Sequence, residues 1–369
     1  MSRPATLHLD RRPGLDGLRG IAALIVVLHH LLLTIPWFAD RVGFGQLGPK
    51  GRFNLTIHNL FEYTPLHVFY GGTEAVMIFF VLSSYVLINP VSRESIFSYA
   101  RNRLLRLYAP IFIAVTMASG LVLLFPRKAQ AGGSWWLKSH AIKFTFASYF
   151  KNIWVVDGND WLDSSLWTMR YEIVFSLLVV VFAKFVFKKS FSIFAIVVIA
   201  ISTLIWIGIT YNLDLLGWLP VFVAGSALHW FPEDRSRFPY LRFTSGLLLL
   251  FFPWYLAGFG YTVSPTLDRI IMTLGAVMIV DICRQPNNGV TALLSRRLPK
   301  TLGKYSYSLY LIHVPVLTTV WFVMGSPLGK LALILRFIIS LSCISICTQI
   351  VYQLGEKPSL RWIHSRKNN

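Results

Sequence analysis

The sequence predicts an all-α polytopic membrane protein of about ten transmembrane helices, with both termini inside. Three observations predict it. Of 369 residues, 55% are hydrophobic and 14% charged, with a mean hydropathy of +0.58. That balance is foreign to soluble domains. Apolar runs long enough to cross about 30 Å of hydrocarbon recur along the chain. The 35 Lys and Arg residues are split unevenly between alternate connections, which orients spans by the positive-inside rule.

The runs fall at 18–38, 73–90, 108–125, 165–187, 191–211, 215–231, 243–261, 266–284, 305–324 and 328–354. With the N-terminus inside, the inner segments are the N-terminus, 91–107, Lys188–Lys189, 232–242, 284–304 and the tail. They carry 21 of the 35 cations and the outer loops eight, the rest lying in spans or at their edges. The longest segment between spans, 126–164, is itself rich in aromatics, so 1–369 reads as a single membrane-embedded domain with no separate soluble domain. No small-residue cleavage site follows the first run, and no cleavable signal is expected.

The net charge of +19 is therefore largely a topology signal. Its simplest consequence is attraction to anionic membrane lipid, and an anionic ligand is the alternative. Nucleic acid is excluded as a partner because no soluble basic module exists to bind it. Cys283, Cys343 and Cys347 show neither disulfide nor metal spacing, and no metal is expected. Oligomeric state is not set by the sequence.

The first run holds Arg19 and His30. Eleven residues is close to three turns, so both lie on one stripe, roughly 16 Å apart along the axis. His29 points about 100° away. The reading places Arg19 near the inner face and His30 at mid-depth. Ionisable groups inside spans are functional candidates, and a desolvated, neutral imidazole suits general-base work. A hydrogen-bonded packing histidine is the bland alternative.

The second run carries Glu74 and Ser83, and the Ser83 hydroxyl is expected to bond back to its own helix. The stretch from Ser92 to Tyr108 holds Arg93, Arg101, Arg103 and Arg106. Arg103 and Arg106, three apart, share a helix side. Either this is a cationic interfacial helix, or it is a clamp for a phosphorylated ligand, whose oxygens match guanidinium forks. Segment 126–164 sets Trp135, Trp136, Trp154 and Trp161 among lysines and Asp157, Asp160 and Asp163. Interfacial anchoring competes there with an external platform for sugar rings. The fourth run holds Arg170 and Glu172, readable as a buried structural pair, and the ninth holds Tyr310 and His313. No GxSxG, HExxH or phosphate-cradling glycine loop occurs, so the chemistry must come from side chains gathered between helices.

At these residues the chain resembles the acyltransferase-3 family of integral-membrane O-acyltransferases. GLDGLRGIAALIVVLHH (14–30) is similar to that family's opening signature, whose key pair is an Arg and a His eleven positions later. FFVLSSYVL (79–87), RNRLLRLYAP (101–110), SLWTMRYE (165–172), YSYSLYLIHVPV (305–316) and GEKP (355–358) continue the series in the family's order. Ser84 stands where the family usually has Gly, and Ala109 where it often has Pro. The resemblance implies a multi-pass enzyme of the bacterial inner (cytoplasmic) membrane. Its donor substrate would be acetyl-CoA or another acyl-CoA. Its acceptor would be a hydroxyl of an extracytoplasmic glycan or glycolipid such as O-antigen, exopolysaccharide or capsule.

Resemblance and spacing together imply His30 as general base, with Arg19 and Glu172 completing the catalytic set. They assign Arg19, Arg103 and Arg106 to the CoA phosphates, and Ser83, Trp167, Tyr310 and His313 to the substrate pocket. A transporter or flippase of a lipid-linked sugar is the rival reading. It predicts internal symmetry between the halves, and we find no repeat.

Overall fold

The computed structural model describes residues 12–39, 57–128, 133–155, 161–185, 214–233, 237–261, 264–325 and 329–367, with single positions between 196 and 203. Among them all regular structure is helical. The main helices are α1 (Pro13–Leu33), α2 (Gly72–Arg93), α3 (Ile96–Leu124), α4 (Trp167–Phe185), α5 (Asp214–Ala227), α6 (Pro239–Leu250), α7 (Phe252–Gly258), α8 (Pro265–Arg284), α9 (Arg297–Met324), α10 (Lys330–Val351) and α11 (Lys357–Lys367). Most expected spans coincide with one of these helices. The expected span 191–211 lies almost wholly outside the described residues, as do Lys188, Lys189, Asp157 and Asp160.

By length and composition, four described helical stretches can cross a membrane: Pro13–Leu33, Ile96–Leu124, Arg297–Met324 and Lys330–Arg366. The pair α6 and α7, bent by 57°, makes a fifth if taken as one span. Pro253 opens the second half of that pair, where its missing N–H and its ring break the ladder.

Two boundaries differ from expectation, and both move functional residues. Helix α1 stops at Leu33, five residues early, because Pro36 drives Ile35 out of the helical region. His30 therefore lies in the last turn of α1. The arginine-rich stretch is no separate interfacial helix. Ser95 caps a 29-residue helix, its Oγ accepting from the Ser98 N–H, and that helix runs on through Pro110. Arg101, Arg103 and Arg106 thus ride on the same rod as the third span.

Helices α1 and α9 run parallel in straight register. Gly20 faces Gly303 and His30 faces His313, the same sequence offset at both ends. The approach needs glycine. A Cβ on Gly20 would stand 2.3 Å from the Gly303 nitrogen, and one on Gly303 would stand 2.0 Å from the Asp16 oxygen. Nearby, Phe80, Phe175 and Phe222 join α2, α4 and α5 in a fully buried aromatic core, ring centroids 5.5–6.4 Å apart. Ser84, where the family usually has Gly, is accommodated because α5 supplies Gly225, whose Cβ would stand 2.3 Å from the Ser84 Oγ.

The described part of segment 126–164 folds back over the bundle. Arg127 donates to the carbonyls of His140 and Pro315 and to Thr319 Oγ1. Trp135 Nε1 donates to the Ala39 carbonyl. His140 bridges the Trp136 carbonyl (2.8 Å) and Ser164 Oγ (2.9 Å). These ties bury Trp136 over α1, so it is no interfacial anchor, whereas Trp154 is 64% exposed.

Candidate functional site

His30 projects from the last turn of α1 into a layer of rings. Its ring centroid lies 4.9 Å from His313, 5.5 Å from Trp136 and 5.3 Å from His29. His313 is fully buried, and its Nδ1 sits 2.7 Å from the Tyr310 carbonyl oxygen and 3.2 Å from that of Leu309. A carbonyl only accepts, so His313 Nδ1 carries the proton and the neutral ring presents a lone pair at Nε2. That Nε2 lies 3.2 Å from His30 Nδ1, which also faces the Val26 carbonyl at 2.9 Å. His30 Nδ1 is therefore the protonated nitrogen, shared between two acceptors, and His30 Nε2 is left with its lone pair. This is the tautomer a general base requires. His30 as a whole residue is half-buried. His29 faces elsewhere, as the helical phase predicted, with its Nδ1 2.6 Å from the Tyr70 carbonyl oxygen.

On the same level, the Tyr310 hydroxyl meets Thr168 Oγ1 at 2.7 Å. Thr168 lies one turn from Glu172 on α4. Glu172 Oε1 accepts from Arg103 Nη2 of α3 and from Ser83 Oγ of α2, with Arg103 and Glu172 both buried. Three expectations change here. Arg103 is buried and paired with Glu172 rather than displayed for a phosphate. Glu172 does not pair with its neighbour Arg170, which is exposed. The Ser83 hydroxyl reaches across to Glu172 instead of its own helix. The physical reason is common to all three: a carboxylate withdrawn from water is stable only beside a cation and donors. Trp167 packs on Trp218 and Tyr171, centroids 5.7 and 5.9 Å away, lining the wall of this level.

The Arg19 end of the site is cationic. Arg19 Nη2 donates to the Gly303 carbonyl at 2.8 Å, and its Nε is buried with no hydrogen-bond partner. The charges of Arg19, Arg103 and Glu356 all act on Arg106. Sequence reasoning missed Glu356. It is buried in the π-helical turn Tyr352–Glu356 and accepts from Ser308 Oγ at 2.6 Å. The GEKP motif was its signal, but nothing local to that motif shows which guanidinium the carboxylate faces.

Residues 12–352 match a family profile described as an acyltransferase domain. The chain belongs to the acyltransferase-3 family. Curated proteins and solved structures gave no match. As an acyltransferase-3 protein with several apolar helices, it is a membrane acyltransferase. In this acyltransferase-3 chain the residues expected at the site fall on three levels. His30, His313 and Tyr310 lie at one end, Arg19 and Arg106 at the other, and Ser83, Glu172 and Arg103 between them. Among the described residues, no group of three or more His, Cys, Asp or Glu is placed to hold a metal ion.

Proposed function

We propose that this acyltransferase moves an acyl group, acetyl by resemblance, from acyl-CoA to a hydroxyl of an extracytoplasmic glycan at the bacterial inner membrane. The observation that carries the reading is the His30–His313 pair. It leaves a lone pair on His30 Nε2 at the outer end of a stripe whose inner end is Arg19 and Arg106.

In this mechanism Arg19 and Arg106 hold the donor's phosphates by charge-assisted hydrogen bonds. The pantetheine arm spans the roughly 16 Å of the stripe and sets the thioester beside His30. His30 Nε2 takes the acceptor hydroxyl proton as the oxygen attacks the thioester carbon. The tetrahedral intermediate collapses with loss of the CoA thiolate, which takes up the proton from the imidazolium. The ester forms, the thioester breaks, and no nucleophile of the protein is acylated. His313 holds the ring in the reactive tautomer, while Tyr310 and Trp167 wall the route. Arg103 and Ser83 fix Glu172 between the donor and acceptor ends. The flippase reading has no observation in its favour.

The test uses membranes with acetyl-CoA and the cell's own surface glycan, following CoA release and acyl incorporation. His30→Gln should lose about 100- to 10,000-fold in transfer while inserting normally, and His29→Ala should keep substantial activity. Near-normal turnover in His30→Gln would remove the general base.

A further inference from the structure

A second basic cluster, on helices α3 and α11, takes no part in that chemistry. Arg101 of α3 and Arg366 of α11 both lie over the indole of Trp362, their guanidinium carbons 5.5 and 4.4 Å from the ring centroid. Stacking on one ring holds both cations in place and gathers like charge. Among the described residues neither guanidinium forms an ion pair, and Arg101 Nε is buried with no hydrogen-bond partner. Helix α11 carries Lys357, Arg361, Arg366 and Lys367 and no acidic residue. Cations gathered without a protein counter-ion attract an anion from outside.

Two hydrogen bonds fix the depth of the cluster. Tyr307 donates to the Leu107 carbonyl and Ser308 to Glu356, so adjacent residues of α9 set α3 and the start of α11 at one level. Arg101 and Trp362 each lie six residues beyond that level, roughly 9 Å along both rods. Residues 107–124 of α3 hold no charged side chain. That stretch of roughly 27 Å nearly matches a hydrocarbon core of about 30 Å. Arg101 therefore stands just past the end of the core, where lipid headgroups begin. Helix α10, the π-helical turn and α11 form one 37-residue helical stretch, Lys330 to Arg366. At roughly 55 Å it is too long to end inside the hydrocarbon.

The cluster also faces outward from the bundle. Arg101 shares a stripe of α3 with Phe97 and Phe112, which are 76% and 50% exposed. It stands about 140° around the axis from Arg106, so it does not join the Arg19 end of the site. Trp362 is itself 37% exposed. Apolar side chains beside paired guanidiniums suit a ligand that carries both a phosphate and acyl chains. A free phosphate would use the cations alone.

We propose that Arg101, Trp362 and Arg366 form a binding site for the headgroup of an anionic phospholipid, which clamps the start of α3 to α11. The guanidinium forks match the phosphate oxygens, and the acyl chains run along the exposed face of α3 that carries Phe112. The site depends on neither the donor nor the acceptor assignment above.

The experiment titrates the delipidated full chain in detergent with phosphatidylglycerol or with phosphatidylcholine of the same acyl chains, read by native mass spectrometry. The wild type should bind phosphatidylglycerol roughly tenfold more tightly or better. The double variant Arg101→Gln with Arg366→Gln should lose that preference, since two charge-assisted contacts go, with a melting curve showing that it is folded. Lys300→Gln, which removes an exposed cation at a similar depth on α9, should keep the preference. Two further comparisons need no variant. Neither glycerol 1-phosphate nor coenzyme A should displace the lipid at concentrations that saturate the site with phosphatidylglycerol. Equal binding of the two lipids, an unchanged preference in the folded double variant, or an equal loss in Lys300→Gln would overturn the site. Displacement by glycerol 1-phosphate would reduce it to a phosphate site, and displacement by coenzyme A would merge it with the donor site; either result sinks the lipid assignment.

Discussion

Replacing Arg103 by leucine while keeping Glu172 strips the middle level of its cation. The side chains of the pair are 9% and 11% exposed, so neither charge can turn to water when its partner goes. A surface pair would contribute about 0–1 kcal/mol. Orphaning one member of a buried pair costs about 3–5 kcal/mol, because the remaining ion stays desolvated. Glu172→Leu should cost a similar amount by orphaning Arg103. The double substitution to leucine should recover much of the loss, since no buried charge remains. The assay is denaturant or thermal unfolding of the detergent-purified protein for the two single variants and the double. Folded Arg103→Leu should also keep its apparent affinity for acyl-CoA. A loss below about 1 kcal/mol, together with a tenfold weaker donor affinity, would refute the argument and return Arg103 to the phosphates.

Three further outcomes are expected. His313→Ala should cut transfer by about tenfold or more by freeing the His30 tautomer, and His313→Gln should restore part of it, since an amide oxygen can accept from His30 Nδ1; initial-rate assays across pH check this. Burial holds His67 and His140 near 3, down from 6.5. Between those values the unfolded chain binds protons that the folded protein refuses, so stability falls as pH drops from about 6.5 toward 3. The slope is up to about 1.4 kcal/mol per pH unit for each histidine, read from melting curves at stepped pH and flattened in His140→Asn. For topology, a cytoplasm-active reporter after Asn369 and a periplasm-active reporter at Gly132 should both be active; silence at Gly132 in an inserted protein would overturn the ten-span order.

The helical class, the positions of most helices and the Arg19–His30 phase were legible because each is local. A run of apolar residues needs no partner to declare a span, and a helix period alone decides which of His29 and His30 shares a face with Arg19. The end of α1 was also local in origin. Pro36 ends α1 early, a stop signal that an apolar count passes over. The arginine-rich stretch was misjudged in the same way, since charge density hid a helix that continues unbroken into the third span.

What only the tertiary structure decided is who faces whom. Glu172 draws its partners from 69 and 89 residues away in sequence, and its adjacent Arg170 points outward. His313 meets His30 across 283 positions, an encounter that needs two parallel helices brought together over Gly20 and Gly303. Glu356 meets Ser308 from a π-turn 48 residues away, and Glu74 meets His67 and Trp254 from three separate elements. Helical periodicity sets which way a side chain points from its own axis. The burial of charge, and hence its pairing, is set by how the axes pack against each other, which no single stretch of sequence contains.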